Sequence, residues 1–209
     1  MTYVCDSKGG QHSKSVDYHS DWYERFPVGV GNKKTSELLF LFHSWERPLR
    51  PEELPYVIIP EKPRKSWPDS FRITNSLLVV RDPVRSVIEE LDPGKHQFFP
   101  VAFQTKRGKE IEGPWFIMFV HAKQDSIVME RSRINKSISA PDKLNSFYSS
   151  TTSKDIVVAP ARQSGLNLWS EQKFRRSLLG SDELMARLDE EKLSFYPKAF
   201  RATDLSDIS

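Results

Sequence analysis

The sequence contains one cysteine, Cys5, among its 209 residues, and neither sign of charge is in large excess. A single thiol cannot close an internal disulfide or provide the several thiolate ligands of a structural zinc site. The 31 Lys and Arg residues outnumber the 28 Asp and Glu residues by three, whereas a phosphate-binding surface needs clustered positive charge. The composition therefore predicts a protein of a reducing compartment that has no nucleic acid partner.

Long apolar segments are also lacking. No stretch approaches the roughly 20 apolar residues that a membrane-spanning helix needs, and the first residues lack the apolar core of a signal peptide. We therefore expect a cytoplasmic protein without membrane contact. The phosphate-binding loop of nucleotide hydrolases, the dinucleotide fingerprint and the Gly-X-Ser-X-Gly nucleophile motif are missing too, so we expect no cofactor and no enzymatic activity.

The histidines give little support for a catalytic or metal site. None of the five has the close His or Cys spacing of zinc ligands, so no metal site is expected. His96 stands just before an apolar run, where a structural, hydrogen-bonded role is the expectation. An alternative is a small cytosolic enzyme of unknown substrate that uses His121, Asp125 and Glu130, because a catalytic site can be assembled from separated positions.

The stretch 75–120 has the clearest secondary structure pattern. Its aliphatic residues 77–80 predict a buried strand, and Asp82 is placed to cap a helix that follows. The apolar residues of that helix form one stripe at helical spacing: Val84, Val87, Ile88 and Leu91. Two further strands are predicted at 98–103 and 115–120, with a polar turn between them.

The rest of the chain predicts shorter elements. Residues 2–5 are expected to form at most one short strand, and the apolar run 38–42 has the length of a strand or a short helix. Six prolines between residues 47 and 68 exclude a long helix there. Residues 134–153 are rich in Ser, Asn and Lys and predict a polar loop.

Two parts of the chain share a pattern. Residues 76–103 contain Ser-Leu-Leu, an acidic helix start and Phe-Phe-Pro-Val-Ala-Phe, and residues 177–200 repeat this order with Phe-Tyr-Pro-Lys-Ala-Phe. The second helix is predicted to be capped by Ser181 or Asp182. The pattern is consistent either with chance or with two related strand–helix–strand units.

The predicted fold class is α+β, a mixed or antiparallel sheet with a few short helices packed on it. We predict a polar tail or short strand at 1–21 and a single α+β domain at 22–209. Within that domain, sub-units at 22–133 and 154–209 are one option, with the polar loop between them.

A proline-braced stretch and a polar turn carry the candidate binding residues. Aromatic and arginine side chains on a rigid loop have the composition found at the centre of protein–protein interfaces. The candidate contact residues are Trp67, Arg64, Lys65, Lys106 and Arg107.

Two segments resemble a known family. Residues 77–101, with Leu-Leu-Val-Val, a capped helix and Glu-Glu-Leu-Asp-Pro-Gly-Lys-His-Gln-Phe-Phe-Pro-Val, are similar to the immunity proteins of bacterial polymorphic toxin systems, specifically the eleventh immunity class. Residues 168–195, from Leu-Trp-Ser through a Leu-rich helix to Leu-Ser-Phe, resemble the closing segment of that family. The proline-rich stretch 48–68 has no counterpart in this resemblance.

The resemblance implies a cytoplasmic protein that binds one cognate toxin domain and neutralises it by direct contact. It implies no catalytic residues and no cofactor. On this interpretation, the candidate contact residues form the toxin-binding surface. The near-neutral composition argues against the strongly acidic inhibitors that mimic nucleic acid.

Overall fold

The computed structural model describes residues 2–5, 17–27, 33–44, 47–73, 77–136, 144–147, 155–159, 165–172, 178–195 and 200–204. The fold is α+β, as predicted, with a mixed six-stranded sheet, a second small sheet and a few short helices. The described helices are α1 (Trp22–Arg25), α2 (Lys33–Ser44), α3 (Asp82–Leu91) and α4 (Asp182–Glu190), with a 3-10 turn at Pro51–Glu53. Among the described helices, none has the length and apolar character required to cross a bilayer.

The larger sheet contains six strands in the order β2-β3-β6-β7-β5-β4. They are β2 (Tyr18–Ser20), β3 (Val57–Pro60), β4 (Ser70–Arg72), β5 (Leu78–Arg81), β6 (Gln97–Phe103) and β7 (Trp115–Phe119). All neighbours are antiparallel except β3 and β6. Every residue of β7 is buried, because α3 packs over this part of the sheet and an aromatic cluster lies on the other face.

The second sheet has the order β14-β1-β13-β12-β8. Its strands are β1 (Thr2–Cys5), β8 (Lys123–Gln124), β12 (Leu168–Glu171), β13 (Leu178–Ser181) and β14 (Phe200–Arg201). The N-terminal strand therefore lies between two strands from the other end of the chain. Two further pairs are β9 (Ile134–Lys136) with β10 (Leu144–Phe147), inside the predicted polar loop, and β11 (Val157–Val158) with β15 (Thr203–Asp204).

The helix predictions are largely confirmed. The apolar stripe of α3 is buried, with Val84, Val87 and Ile88 at most 2% exposed. The predicted cap at Asp82 is wrong, because β5 runs directly into α3 and the extended residue before the helix is Arg81, which makes no capping hydrogen bond. Ser181 does cap α4, since its Oγ accepts a hydrogen bond from the Leu184 N–H at 3.1 Å. The apolar run 38–42 lies in α2.

The two strand–helix–strand units have the same order of antiparallel strands, although the central strand follows the rest of the unit along the chain in the first case and precedes it in the second. In the first unit β4 pairs with β5, α3 follows β5, and β7 lies between β5 and β6. In the second unit β12 pairs with β13, α4 follows β13, and β1 lies between β13 and β14. All these neighbours are antiparallel, so the shared pattern corresponds to a shared arrangement. Residues 76, 177 and 196–199 of the pattern lie outside the described residues.

Matching residues of the two units make matching contacts. The last residue of β5, Arg81, donates its N–H to the Asp69 carbonyl at 2.8 Å and its guanidinium to the Asp69 carboxylate at 3.2 Å. The last residue of β13, Ser181, donates its N–H to the Asn167 carbonyl at 2.9 Å and its hydroxyl to the Asn167 side chain at 2.6 Å. Asp69 and Asn167 each stand just before the edge strand of their unit.

The same two positions connect the units to each other. Ser194, which follows α4, donates its N–H and Oγ–H to the Asp69 carboxylate at 2.9 and 3.0 Å. Asp92, which follows α3, accepts the N–H groups of Asn167 and Leu168 at 2.9 and 2.7 Å. Two carboxylates of the first unit therefore accept backbone N–H groups at both ends of the second unit, and α3 packs against α4 between them.

Candidate functional site

A surface cleft of about 390 Å³ lies between the loop 61–67, which follows β3, and the turn 104–112, which joins β6 to β7. Its lining comes from both segments together with Arg81 of β5 and Trp115 of β7. We call this feature the basic cleft. It lies at the carboxyl ends of the parallel neighbours β3 and β6, where two connections leave the sheet on the same edge.

Trp67 fastens the loop to the sheet. Its ring centroid lies 4.7 Å from that of Phe103 and 5.5 Å from that of Phe71, and Trp115 lies 5.1 Å from Phe103 on the other side. Tilted and edge-to-face ring pairs at these separations stabilise a structure beyond their buried area. Trp67 is half-buried in this cluster. It therefore fixes the C-terminal end of the exposed segment 61–66.

The opposite wall is a tight hairpin turn. The Gly108 N–H donates to the Thr105 carbonyl at 2.9 Å, and the Thr105 N–H donates to the Lys109 carbonyl at 2.8 Å. Gly108 has φ +75, a conformation that side-chain-bearing residues rarely adopt and that completes this kind of turn. The two residues at its tip, Lys106 and Arg107, therefore point their charges into solvent.

The two walls are rich in exposed cations. Six stand on residues 61–66 and 106–112, namely Lys62, Arg64, Lys65, Lys106, Arg107 and Lys109. Three carboxylates accompany them, namely Glu61, Glu110 and Glu112. None of the six cations forms an ion pair with another described residue; the Arg64 guanidinium instead lies 5.2 Å from the centroid of the Trp67 ring.

Arg81 differs from these six because its charge is compensated. Its guanidinium donates to the Asp69 carboxylate at 3.2 Å and lies 5.8 Å from the Trp115 ring centroid. Its Nε is buried and makes no hydrogen bond within the described part of the chain. Arg81 is therefore a structural part of the cleft, and the exposed cations above it are the groups available to a ligand.

The structure brings the predicted contact residues to one place. Arg64, Lys65 and Trp67 line the cleft, while Lys106 and Arg107 stand at the tip of its facing turn. Sequence reasoning missed Lys109, Arg81 and Trp115 as neighbours of this loop, because only the pairing of β5, β6 and β7 brings these separated positions together.

The alternative catalytic residues His121, Asp125 and Glu130 lie in the segment that follows β7. His121 and Glu130 are exposed, and the His121 imidazole makes no hydrogen bond or ion pair with any residue in the described ranges. Asp125 is partly buried. A search of the described residues finds no group of three or more His, Cys, Asp or Glu side chains that could hold a metal ion.

His96 has the structural role that its position predicts. Its imidazole is buried, and its Nε2 lies 3.4 Å from the Asp92 carboxylate. Although burial favours the neutral acid, hydrogen bonds from His96 and from the backbone of Asn167 and Leu168 lower the pKa of Asp92 below its ordinary value. This carboxylate therefore stays ionised and serves to join the two units.

A second cleft, of about 520 Å³, lies between α2 and the 3-10 turn. Its buried carboxylate is compensated by two arginines, because Glu53 accepts hydrogen bonds from Arg47 at 2.6 and 2.9 Å and from the Arg50 guanidinium at 3.1 Å. The pKa of Glu53 falls from 4.5 to about 2, chiefly through the hydrogen bonds of Arg47. This cleft offers an approaching ligand less uncompensated charge than the basic cleft.

Negative charge is concentrated elsewhere, on the helices. The exposed carboxylates Glu90, Glu190 and Glu191 surround Arg187, whose guanidinium lies 3.1 Å from Glu90 and 3.6 Å from Glu191. These pairs join α3 to α4 and partly neutralise that layer. Positive and negative surface charge are thus separated between the basic cleft and the helical layer.

The sequence matches the family model of the immunity protein family (Imm11) over residues 17–203, which includes both strand–helix–strand units except β1. No curated protein matches the chain. The match covers the stretch 77–101 and the segment 168–195, on which the resemblance was based, and extends across the proline-rich stretch between β2 and β4. The chain belongs to the Imm11 immunity protein family.

Proposed function

We propose that this protein binds a cognate bacterial toxin in the cytoplasm and neutralises it by direct contact, and that the basic cleft is the contact surface. Membership of an immunity protein family supports a toxin-neutralising role and a non-enzymatic one. The proposal adds the mode of action, a stoichiometric protein complex, and the surface that forms it.

The observation that carries the proposal is the construction of the basic cleft. Arg64 stacks on Trp67, Trp67 is fixed in an aromatic cluster, and charged groups surround the pair. Tryptophan and arginine are enriched among residues that dominate binding energy, and a rigid anchor loses little conformational entropy on binding. A direct inhibitor needs such a surface and does not need convergent ionisable groups.

Growth rescue by co-expression tests the proposal. The toxin domain encoded beside this chain is expressed in a susceptible bacterium with and without the protein, and the purified pair is analysed by size-exclusion chromatography. We expect restored growth and a stoichiometric complex. Continued growth arrest together with separate elution of the two proteins would refute toxin neutralisation.

Two substitutions test the surface. Arg64→Ala removes an exposed side chain whose one described partner is the Trp67 ring, so we expect an unchanged fold and weaker binding by about 1 to 2 kcal/mol. Arg131→Ala, an exposed cation outside the cleft, is the matched control and should bind like the wild type. Equal affinities for both variants would place the interface elsewhere. Trp67→Ala is less informative, because it also removes packing against Phe71 and Phe103.

A further inference from the structure

We infer that the basic cleft receives an acidic segment of the toxin, a group of surface Asp and Glu side chains on the partner protein. The inference rests on the proposed function and specifies the chemistry of the partner. The inference predicts that charge attraction sets the rate of association. This rate can be measured separately from the binding affinity.

The two walls of the basic cleft, residues 61–66 and 106–112, together carry the same net charge as the whole protein. Residues 61–66 carry three cations and one carboxylate, and residues 106–112 carry three cations and two carboxylates, so together they have a net charge of +3. This equals the formal net charge of the whole chain, so the remaining residues sum to zero. A surface that concentrates the charge of an otherwise balanced protein produces a local positive potential and attracts acidic partners.

The cations in the cleft are also available. Arg47 and Arg187 are held by buried or clustered carboxylates, whereas the six exposed cations of the cleft form no ion pair within the described ranges. A partner carboxylate therefore gains an interaction without breaking an internal one. The Trp67 ring holds the planar guanidinium of Arg64, and such a group binds a carboxylate through two parallel hydrogen bonds.

Protein carboxylates fit this surface better than a nucleic acid does. A single strand needs an aromatic face on which a base can stack, but Trp67 packs in the cluster and Arg64 lies over its ring. Glu110 and Glu112 also line the cleft, where they would repel a continuous phosphate backbone. Separated carboxylates on a folded partner can avoid these two groups.

Stopped-flow association with the toxin, measured at several salt concentrations, tests the inference. The variant is Lys106→Glu/Arg107→Glu, at the tip of the turn and remote from the core. The control is Lys95→Glu/Arg131→Glu, which changes the net charge equally through exposed residues; Lys95 precedes β6, at the opposite end of that strand from the turn.

We expect the tip variant to associate about tenfold more slowly than the wild type in about 0.05 M salt, with the control within about twofold. The difference should shrink toward about 1 M salt, where screening acts within about 3 Å. A complex that forms at equal rates for wild type, tip variant and control would overturn the acidic-partner inference and leave toxin neutralisation intact. No complex with the wild type would instead refute the proposed function.

Binding of a labelled single-stranded RNA provides the remaining test. We expect no saturable binding by the wild type at about 0.15 M salt, where non-specific electrostatic binding is weak. Saturable binding that the tip variant loses and the control retains would overturn the inference in favour of a nucleic acid ligand.

Discussion

Glu53 connects the proline-rich segment to α1. Its carboxylate accepts hydrogen bonds from Arg47 and from the backbone and side chain of Arg50, and its carbonyl accepts the Trp22 indole N–H at 2.8 Å. These hydrogen bonds fix the position of a proline-rich segment that cannot form a long helix. The buried carboxylate remains ionised because each of its oxygens has charged donors.

Glu53→Gln should lower the free energy of unfolding by about 2 kcal/mol at neutral pH, since it leaves the two arginines with a neutral partner. The pKa of Glu53 is depressed to about 2, so its contribution is full above the ordinary value of 4.5 and is lost as the pH falls toward 2. Urea unfolding of both proteins between about pH 7 and pH 2.5 measures this. A constant difference across that range would show that the carboxylate charge does not contribute.

Residue types alone indicated the candidate surface only in part. Trp67 and Arg64 could be singled out because tryptophan, arginine and proline occur together there. Sequence could not show that Trp67 packs with Phe71 and Phe103, since these partners lie on different strands. Because of that packing, Trp67 anchors the loop while Arg64 stays exposed.

The two equivalent helices begin differently. Both follow directly from a strand, and in both the last strand residue is extended. Ser181 has a short hydroxyl that reaches the third backbone N–H of α4, whereas Arg81 points its long side chain toward Asp69 instead. The same strand arrangement thus uses one position for helix capping in one unit and for an ion pair in the other.

Ser181→Ala should destabilise the protein by about 1 kcal/mol or somewhat more, because it leaves an N–H of the first turn of α4 and the Asn167 side chain without their partner. Ser86→Ala, an exposed position within α3, is the control and should change the stability by less than about 0.5 kcal/mol. Thermal unfolding followed by circular dichroism gives both values. Equal effects would mean that capping by Ser181 contributes nothing measurable.

Periodicity predicted the elements with regular patterns. The buried stripe of α3 and the strands β5, β6 and β7 follow from it. The short apolar run 127–129 has strand-like residues, but the structure forms an isolated bridge there, between Ile127 and Val158. The run 38–42 could not be assigned, because a short apolar run fits a strand and a buried helix equally well.

The reciprocal contacts at Asp69 and Asp92 join the two units into one structure. Each carboxylate accepts backbone N–H groups from the other unit, and buried residues of both units share one apolar core that includes Leu178, Leu184 and Leu188. Separating the units would leave these groups unpaired and expose the core. We therefore expect the described part of the molecule to unfold in one cooperative transition.

Asp92→Asn should lower the free energy of unfolding by about 2 to 3 kcal/mol and keep that single transition, because the NH2 that replaces one carboxylate oxygen cannot accept the N–H groups facing it, those of Asn167 at Oδ1 or that of Leu168 at Oδ2. Tryptophan fluorescence and far-ultraviolet circular dichroism during denaturation should give coincident curves. Asp189→Asn, on the exposed side of α4, is the control and should be near neutral. Two separate transitions in the wild type would show that the units unfold independently.

The sequence by itself determined the fold class, the helix of the first unit with its neighbouring strands, and the family, because these depend on local periodicity and contiguous motifs. Only the tertiary structure decided that residues 2–5 complete the second sheet, that Asp69 and Asn167 occupy equivalent positions, and that the loop 61–67 faces the turn 104–112. The physical reason is distance along the chain: strand pairing and side-chain hydrogen bonds join positions that no local pattern relates.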